Sequence, residues 1–171
     1  AGYEPGTNIV HMTAAHPDHP VSIRSTHFVV PDAEGLIRHF RFTNTGDRGI
    51  ALTFIHYASF WIGETPHHQA ALFDESSDAL VHYRGPHVFA VSANLSCAAF
   101  QAGASREQAE SGRLDGQEAS LGAGGALAWD FPMIAPGETA ELTLYLSAAD
   151  RIEPALDQLG HLRAVPYAEL Y

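Results

Sequence analysis

Apolar and polar residues alternate along most of this chain, and the densest stretch is LIRHFRFTNTGDRGIALTFIHYASFWI, Leu36 to Ile62. In its first run Leu36, Phe40 and Phe42 share one face, while Ile37, His39, Arg41 and Thr43 take the other. Arg38 has the parity of the first face, so it is expected near a sheet edge or rim. In the second run Ile50, Leu52, Phe54, His56, Ala58, Phe60 and Ile62 alternate with Ala51, Thr53, Ile55, Tyr57, Ser59 and Trp61. Period-two alternation around the turn Asn44-Thr45-Gly46-Asp47-Arg48-Gly49 predicts a β-hairpin. The second run is apolar on both faces, the pattern of a central strand covered on both sides.

The same reading places strands at Asn8–Ala15, Val21–Val30, Ala79–Arg84, His87–Ala93, Leu95–Gln101, Ala126–Phe131 and Thr139–Leu146. His67–Phe73 is strand or irregular. Turns fall at His16–Pro20, Pro31–Gly35, Gly63–Pro66, Asp74–Asp78, Gly85-Pro86 and Pro136-Gly137. Ala102–Gly125 is rich in Gly, Ser, Ala, Glu and Gln; it reads as a loop, with a helical turn or two at Ser105–Glu110. From Ile152 the period becomes helical, with Ala155, Leu159, Leu162 and Pro166 at i, i+4, i+7 and i+11. About nine closely spaced strands predict an all-β antiparallel sandwich or barrel over residues 1–150, followed by a helix and tail over 151–171.

The length, 171 residues, suits one domain. A domain of this size buries roughly 70% of its unfolded surface, so it needs no disulfide or metal to stand. There are 20 acidic and 9 basic residues, all of the latter arginine, for a net charge of −11. That surface argues against nucleic acid and anionic membrane as partners. The single cysteine, Cys97, excludes an internal disulfide, and Leu95 and Phe100 beside it indicate a buried thiol. No run is long and apolar enough to be a transmembrane helix, and the start shows no signal pattern, which leaves the compartment open with the cytoplasm favoured.

Eleven histidines invite a metal reading. The candidates are His16, Asp18 and His19, and the pair His67-His68, whose side chains would diverge on a strand. Neither group has a helical zinc-ligand spacing, so no metal and no cofactor is expected. Acidic residues cluster in turns (Asp32/Glu34, Asp74/Glu75/Asp78, Glu107/Glu110), where carboxylates are solvated; Asp130 between Trp129 and Phe131 faces solvent. There is no Gly-x-Ser-x-Gly elbow and no phosphate-cradling glycine loop before a helix. No catalytic residue is therefore assigned. Trp61, Trp129 and Tyr57 form the candidate sugar-stacking platform, set against the alternative that they are core aromatics.

The opening YEPGTN, the segment HPVSIRSTHFVVPDAEGLIRHFRFTNTGDRGIALTFIHYASFWIG and the segment SDALVHYRGPHVFAVS together resemble the N-terminal β-sandwich of prokaryotic glucoamylase-type enzymes, glycoside hydrolase family 15. IEPALDQLGHLRAVPYAELY is similar to the linker helix that follows that sandwich. The resemblance implies a non-catalytic accessory domain of a hydrolase acting on α-glucans or α-glucosides. Its partner would be a helical catalytic toroid, on the same or a companion chain, which supplies both catalytic glutamates. The family's sandwich usually has strands upstream of such an opening. The alternative readings are an independent carbohydrate-binding module using Trp61 or Trp129 and a stand-alone mutarotase-like sugar enzyme. Leu162, Tyr167, Leu170 and Tyr171 are the expected interface: the helix docks on the sandwich and the last five residues offer an apolar surface to the following domain.

Overall fold

A computed structural model describes residues 1–31, 33–63 and 67–171. The strands are β1 (Gly2–Tyr3), β2 (Val10–Ala15), β3 (Val21–Val29), β4 (Gly35–Asn44), β5 (Ile50–Ser59), β6 (Ala70–Asp74), β7 (Ala79–Arg84), β8 (His87–Ala93), β9 (Ala99–Ala102), β10 (Ala119–Leu121), β11 (Gly124–Ile134) and β12 (Thr139–Ala149). The helices are α1 (Arg106–Ser111), α2 (Ile152–Ala164) and α3 (Tyr167–Leu170). Nine strands form one antiparallel sheet in the order β1-β2-β3-β4-β12-β8-β7-β6-β10, and β5-β11-β9 form a second. The chain is an all-β antiparallel sandwich with a C-terminal helix.

The core between the sheets follows the alternation. Phe40, Phe42, Leu142, Leu144, Leu80 and Val91 of the large sheet meet Leu127, Trp129 and Phe131 of the small one. Phe54 lies 4.9 Å from the Phe40 ring and 5.1 Å from the Phe42 ring. The opposite parity of the large sheet, with Ile37, Val81, Val88, Ala90 and Tyr145, receives Ala155, Leu159 and Leu162 of α2. Each leucine side chain so buried contributes about 1.5–3 kcal/mol. Gly35 sets how close α2 can come, because a Cβ there would lie 2.6 Å from Leu162 Cδ1. The Ser147 hydroxyl donates to the Ala155 carbonyl (2.7 Å) and Arg163 Nη1 to the Ser77 carbonyl (2.7 Å), which pins the helix at both ends.

The predicted hairpin is corrected. β4 pairs with β3 and β12 while β5 pairs with β11, so the Asn44–Gly49 connection arches from one sheet to the other. Asn44, fully buried, holds that corner. Its Nδ2 donates to the carbonyls of Arg48 (2.7 Å) and Ile134 (2.9 Å), and its Oδ1 accepts from Gly46 N–H (2.9 Å). β5 is also an edge of the small sheet, not a central strand. Its outward Ile55 and Tyr57 are apolar because Ala104 and Ala109, in and before α1, pack on them. Ser105 and Gln108 form a capping box on that helix, which ends at a left-handed Gly112. The Ala102–Gly125 segment is thus more ordered than its composition implies, holding α1, β10 and the start of β11. Of the turns read from sequence, Asp32 and Glu64–Pro66 fall outside the described residues.

Candidate functional site in the inter-sheet cleft

Strand registers turn four polar side chains toward the inside of the sandwich. His27 is opposite Arg38 on β3 and β4, and both have inward parity. His82 on β7 and His56 on β5 carry inward parity from the other side and from the facing sheet. Arg38 was expected at a rim; it lies instead half-buried between the sheets. Its Nε donates to His27 Nδ1 (3.0 Å), and its guanidinium carbon sits 5.3 Å from the Phe40 ring centroid. His27 Nδ1 is then an acceptor, so the proton of the neutral ring is on Nε2, which donates to Ser25 Oγ (2.8 Å).

Burial governs the protonation of these groups. Desolvation and then the Arg38 charge lower the His27 pKa. His56 is pushed down to about 3 by burial, with smaller effects of Arg38 and His82. His82 is pushed down to about 4 by burial, against a weaker pull from the Ala123 backbone. Desolvation also lowers the Arg38 pKa, though an arginine stays charged at neutral pH. Gly125 makes room for this arrangement: a Cβ there would stand 2.6 Å from Leu80 Cδ2 and 3.1 Å from His82 Cε1. Among the described residues His56 Nε2 and Gln69 Nε2 are buried without a hydrogen-bond partner, and the buried His82 ring has at most a weak approach to the Ala123 backbone.

The sheets part in a cleft of about 810 Å³ whose apolar wall includes Leu36, Phe60, Phe89 and Leu146. Phe60 stacks on Phe89 at 5.0 Å and stands edge-on to His82 at 5.0 Å, so it separates the cleft from His82. Glu34 and Asp150, both exposed, are the carboxylates of its rim. None of these residues formed a motif in the sequence. The four polar groups come from four strands, and only the inward parity of polar residues in apolar runs marked them.

The sequence-selected aromatics do not come together. Trp129 is 1% exposed in the core, where its Nε1 donates to the Leu95 carbonyl (3.0 Å). Tyr57 lies on the outer face of β5 under α1, and Trp61 is 69% exposed beyond the strand end. Trp129 faces the core while Tyr57 lies on the outer face, so the structure does not bring the three rings together. Asp130 is exposed as read and accepts a hydrogen bond from Thr53 Oγ1 (2.6 Å).

The tail also differs from its reading. Leu162 is buried against the chain's own sheet, and Tyr167 and Leu170 pack there too. Tyr167 stacks on His39 at 4.0 Å, and the Tyr171 hydroxyl donates to Glu4 Oε2 (3.0 Å). Pro166 ends α2 but α3 follows at once, folding these aromatics back over Phe28. Of the four expected interface residues only Tyr171 is exposed.

Elsewhere, Cys97 Sγ donates to Asp78 Oδ1 (3.0 Å) and its N–H donates to Asp78 Oδ2 (3.0 Å). Burial first, then Asp78, pushes the thiol up to about 12, so it stays protonated and is a poor nucleophile. The exposed His16 and His19 rings lie 4.5 Å apart. Among the described residues no three of His, Cys, Asp and Glu converge as metal ligands.

The sequence matches no family model and no curated protein. The fold is similar to a bacterial glucoamylase complexed with acarbose, with a TM-score of 0.67 and 11% identity over 95% of this chain and 27% of that one. It is similar to a putative aldose 1-epimerase from Escherichia coli K12, with a TM-score of 0.50 and 8% identity over 88% of this chain and 68% of that one. A family GH92 α-mannosidase from Bacteroides thetaiotaomicron gives 0.51 and 11% over 94% of this chain and 23% of that one. At these identities the likeness is one of fold: this is a β-sandwich of a kind present in carbohydrate-active proteins, spanning 27% of the glucoamylase's length.

Proposed function

We propose that the chain is the non-catalytic β-sandwich of a glucoamylase-like hydrolase acting on α-glucans or α-glucosides, packed against a helical catalytic domain of the same or a companion chain. The carrying observation is the likeness in fold to a bacterial glucoamylase over 95% of this chain, and the protonation of the inward histidines agrees with it. Acid–base catalysis works best with groups whose pKa lies near the operating pH. The inward histidines His56 and His82 titrate at about 3 and about 4, far from that range. The rim carboxylates Glu34 and Asp150 are exposed to solvent. Such groups can bind and position but are poorly suited to shuttle protons.

A mutarotase-like sugar enzyme is the second reading, favoured by an apolar cleft beside Arg38 and three histidines. Polarimetry of freshly dissolved α-D-glucose and α-D-galactose separates the two. The accessory reading expects no acceleration over buffer and no glucose release from maltose, maltooligosaccharides or trehalose. Acceleration that disappears in Glu34→Gln or His82→Gln transfers the chain to the second reading. The flanking reading frames are expected to encode a toroid of paired helices with two catalytic glutamates, and their lack of one ends the accessory reading.

A further inference from the structure

We propose that the inner face of β1, β2 and β3 is the interface of a two-fold symmetric homodimer, in which the overhanging strands of each copy cover those of the other. The two sheets are unequal, nine strands against three. Phe54 of β5 meets the rings of Phe40 and Phe42, so the edge strand of the small sheet lies over β4. β3, β2 and β1 extend past it. Their registers fix which side chains turn inward. Tyr3 is opposite Val10, Val10 opposite His27 and His27 opposite Arg38; Met12 is opposite Ser25 and Ser25 opposite Phe40; Val29 is opposite Leu36. The inward parity thus carries Tyr3, Met12 and Val29, which are 75%, 48% and 50% exposed. β2 alternates as a strand with a buried inner face does, with Val10, Met12 and Ala14 inward and His11 and Thr13 outward, yet among the described residues nothing covers the inner side of Met12 and Ala14. Ile50, Leu52 and Phe54 of β5 are left partly exposed in the same opening, whereas Leu127 and Trp129 on the neighbouring β11 are buried.

Shape and charge select a second copy of the chain as the occupant. The overhang is three strands wide in one layer, and the space beside β5 in the other layer is as wide. A copy turned by half a revolution about an axis parallel to the strands, midway between the layers, lays its own β1–β3 in that space. The same rotation brings the first copy's overhang beside the second copy's β5. Direct β5–β5 pairing is excluded, because each overhang would then collide with the other copy's β4 and β12. The inward positions of the overhang hold no Asp, Glu, Lys or Arg, so two chains of net charge −11 meet there without like charges in contact. Ile50–Ser59 likewise lacks charge and proline, the devices that keep a free edge strand from pairing. Three strands about 4.8 Å apart and the length of β2 at about 3.4 Å per residue give a footprint of roughly 14 by 20 Å on each copy. With the β5 and β1 edges added, this lies at the low end of specific interfaces, which sets a reversible dimer of micromolar affinity. α2 packs on the opposite face of the large sheet and takes no part.

The test is sedimentation velocity of the purified chain at pH 7 over about 5 to 500 µM, a range that brackets a micromolar Kd. The expected result is a monomer–dimer equilibrium with its midpoint inside that range. Met12→Glu and Tyr3→Asp change exposed side chains, so the circular dichroism spectrum should be that of the parent. Each places carboxylates in the neutral contact and should weaken dimerisation by about tenfold or more. Leu121→Glu alters a side chain that is 92% exposed on β10, at the other edge of the large sheet, and should leave the equilibrium unchanged. A chain that stays monomeric throughout overturns the proposal and gives the face to a different polypeptide. A dimer that Met12→Glu and Tyr3→Asp leave as tight as the parent's overturns it too, and moves the contact between copies to another surface.

Discussion

Replacing Asn44 by alanine tests whether the arch between the sheets is held by one side chain. Asn44 is fully buried and makes three side-chain hydrogen bonds to a single turn and to β11. Alanine leaves the Ile134 carbonyl unpaired in the interior, at about 1–3 kcal/mol, and frees the partly buried Arg48 carbonyl and Gly46 N–H at about 0.5–1 kcal/mol each. The sum is about 2–5 kcal/mol, a large share of the ~5–15 kcal/mol that holds an ordinary domain together. At about 2–4 °C per kcal/mol for a chain of this size, the melting temperature should fall by roughly 4–20 °C. Urea titration followed by circular dichroism and tryptophan fluorescence measures it, because buried Trp129 reports on the same core. Asn44→Asp is the sharper control. It keeps the acceptor for Gly46 but aims a carboxylate at two carbonyl oxygens, so at pH 7 it should be less stable than the alanine variant. An alanine variant within about 0.5 kcal/mol of the parent, the scatter of ordinary surface changes, or an aspartate variant more stable than alanine, would refute the corner argument.

Gly125→Ala should cost about 1–3 kcal/mol by driving a methyl into Leu80 and His82, read as a lower urea midpoint at unchanged slope. His56 and His82 have folded pKa values of about 3 and about 4, depressed from 6.5. The unfolded chain therefore binds more protons below pH 6.5, and stability should fall as pH drops from there toward 4 and 3, by up to about 1.4 kcal/mol per pH unit per histidine. His56→Phe should flatten that slope in a series of melts between pH 7 and pH 4. Truncation after Val165 removes the Tyr167–His39 stack and uncovers Phe28, so it should lower stability by about 1–3 kcal/mol, and a neutral truncation would restore the tail to a free interface.

The faces of the strands were legible in the sequence because side-chain parity is a local property. Phe40, Phe42, Leu142 and Leu144 turn one way, and Ile37 and Tyr145 the other, as alternation requires. The stripe Ala155, Leu159 and Leu162 was legible for the same reason at helical period. Which strand neighbours which was not legible. Alternation in β4 and β5 is equally compatible with a hairpin and with an arch, and the deciding contact, Asn44 to the Ile134 carbonyl, joins residues far apart in the chain. The apolar outer face of β5 misled in a similar way, since its cover is α1, encoded in a stretch that looked like a loop. Trp129 and Trp61 are alike in composition and unlike in exposure, and only the register of β11 against β5 tells them apart.

The misread connection also decides where the inward polar residues face. In a hairpin, the strands carrying Arg38 and His56 would lie side by side in one sheet, with their heads directed to the same surface. The arch puts β4 and β5 in opposite sheets, so Arg38 and His56 approach the interior from facing sides. Burial then removes the proton from His56 and leaves Arg38 as the lasting charge among them. Among the described residues no carboxylate lies within ion-pair distance of that cation, in a chain with 20 acidic residues. Desolvating a charge without pairing it lowers stability, and a hydrophobic residue of similar size would remove that cost. Arg38→Met should therefore raise the melting temperature of the chain. A drop in stability on that substitution would mean that the hydrogen bond to His27 and the contact with Phe40 outweigh the unpaired charge.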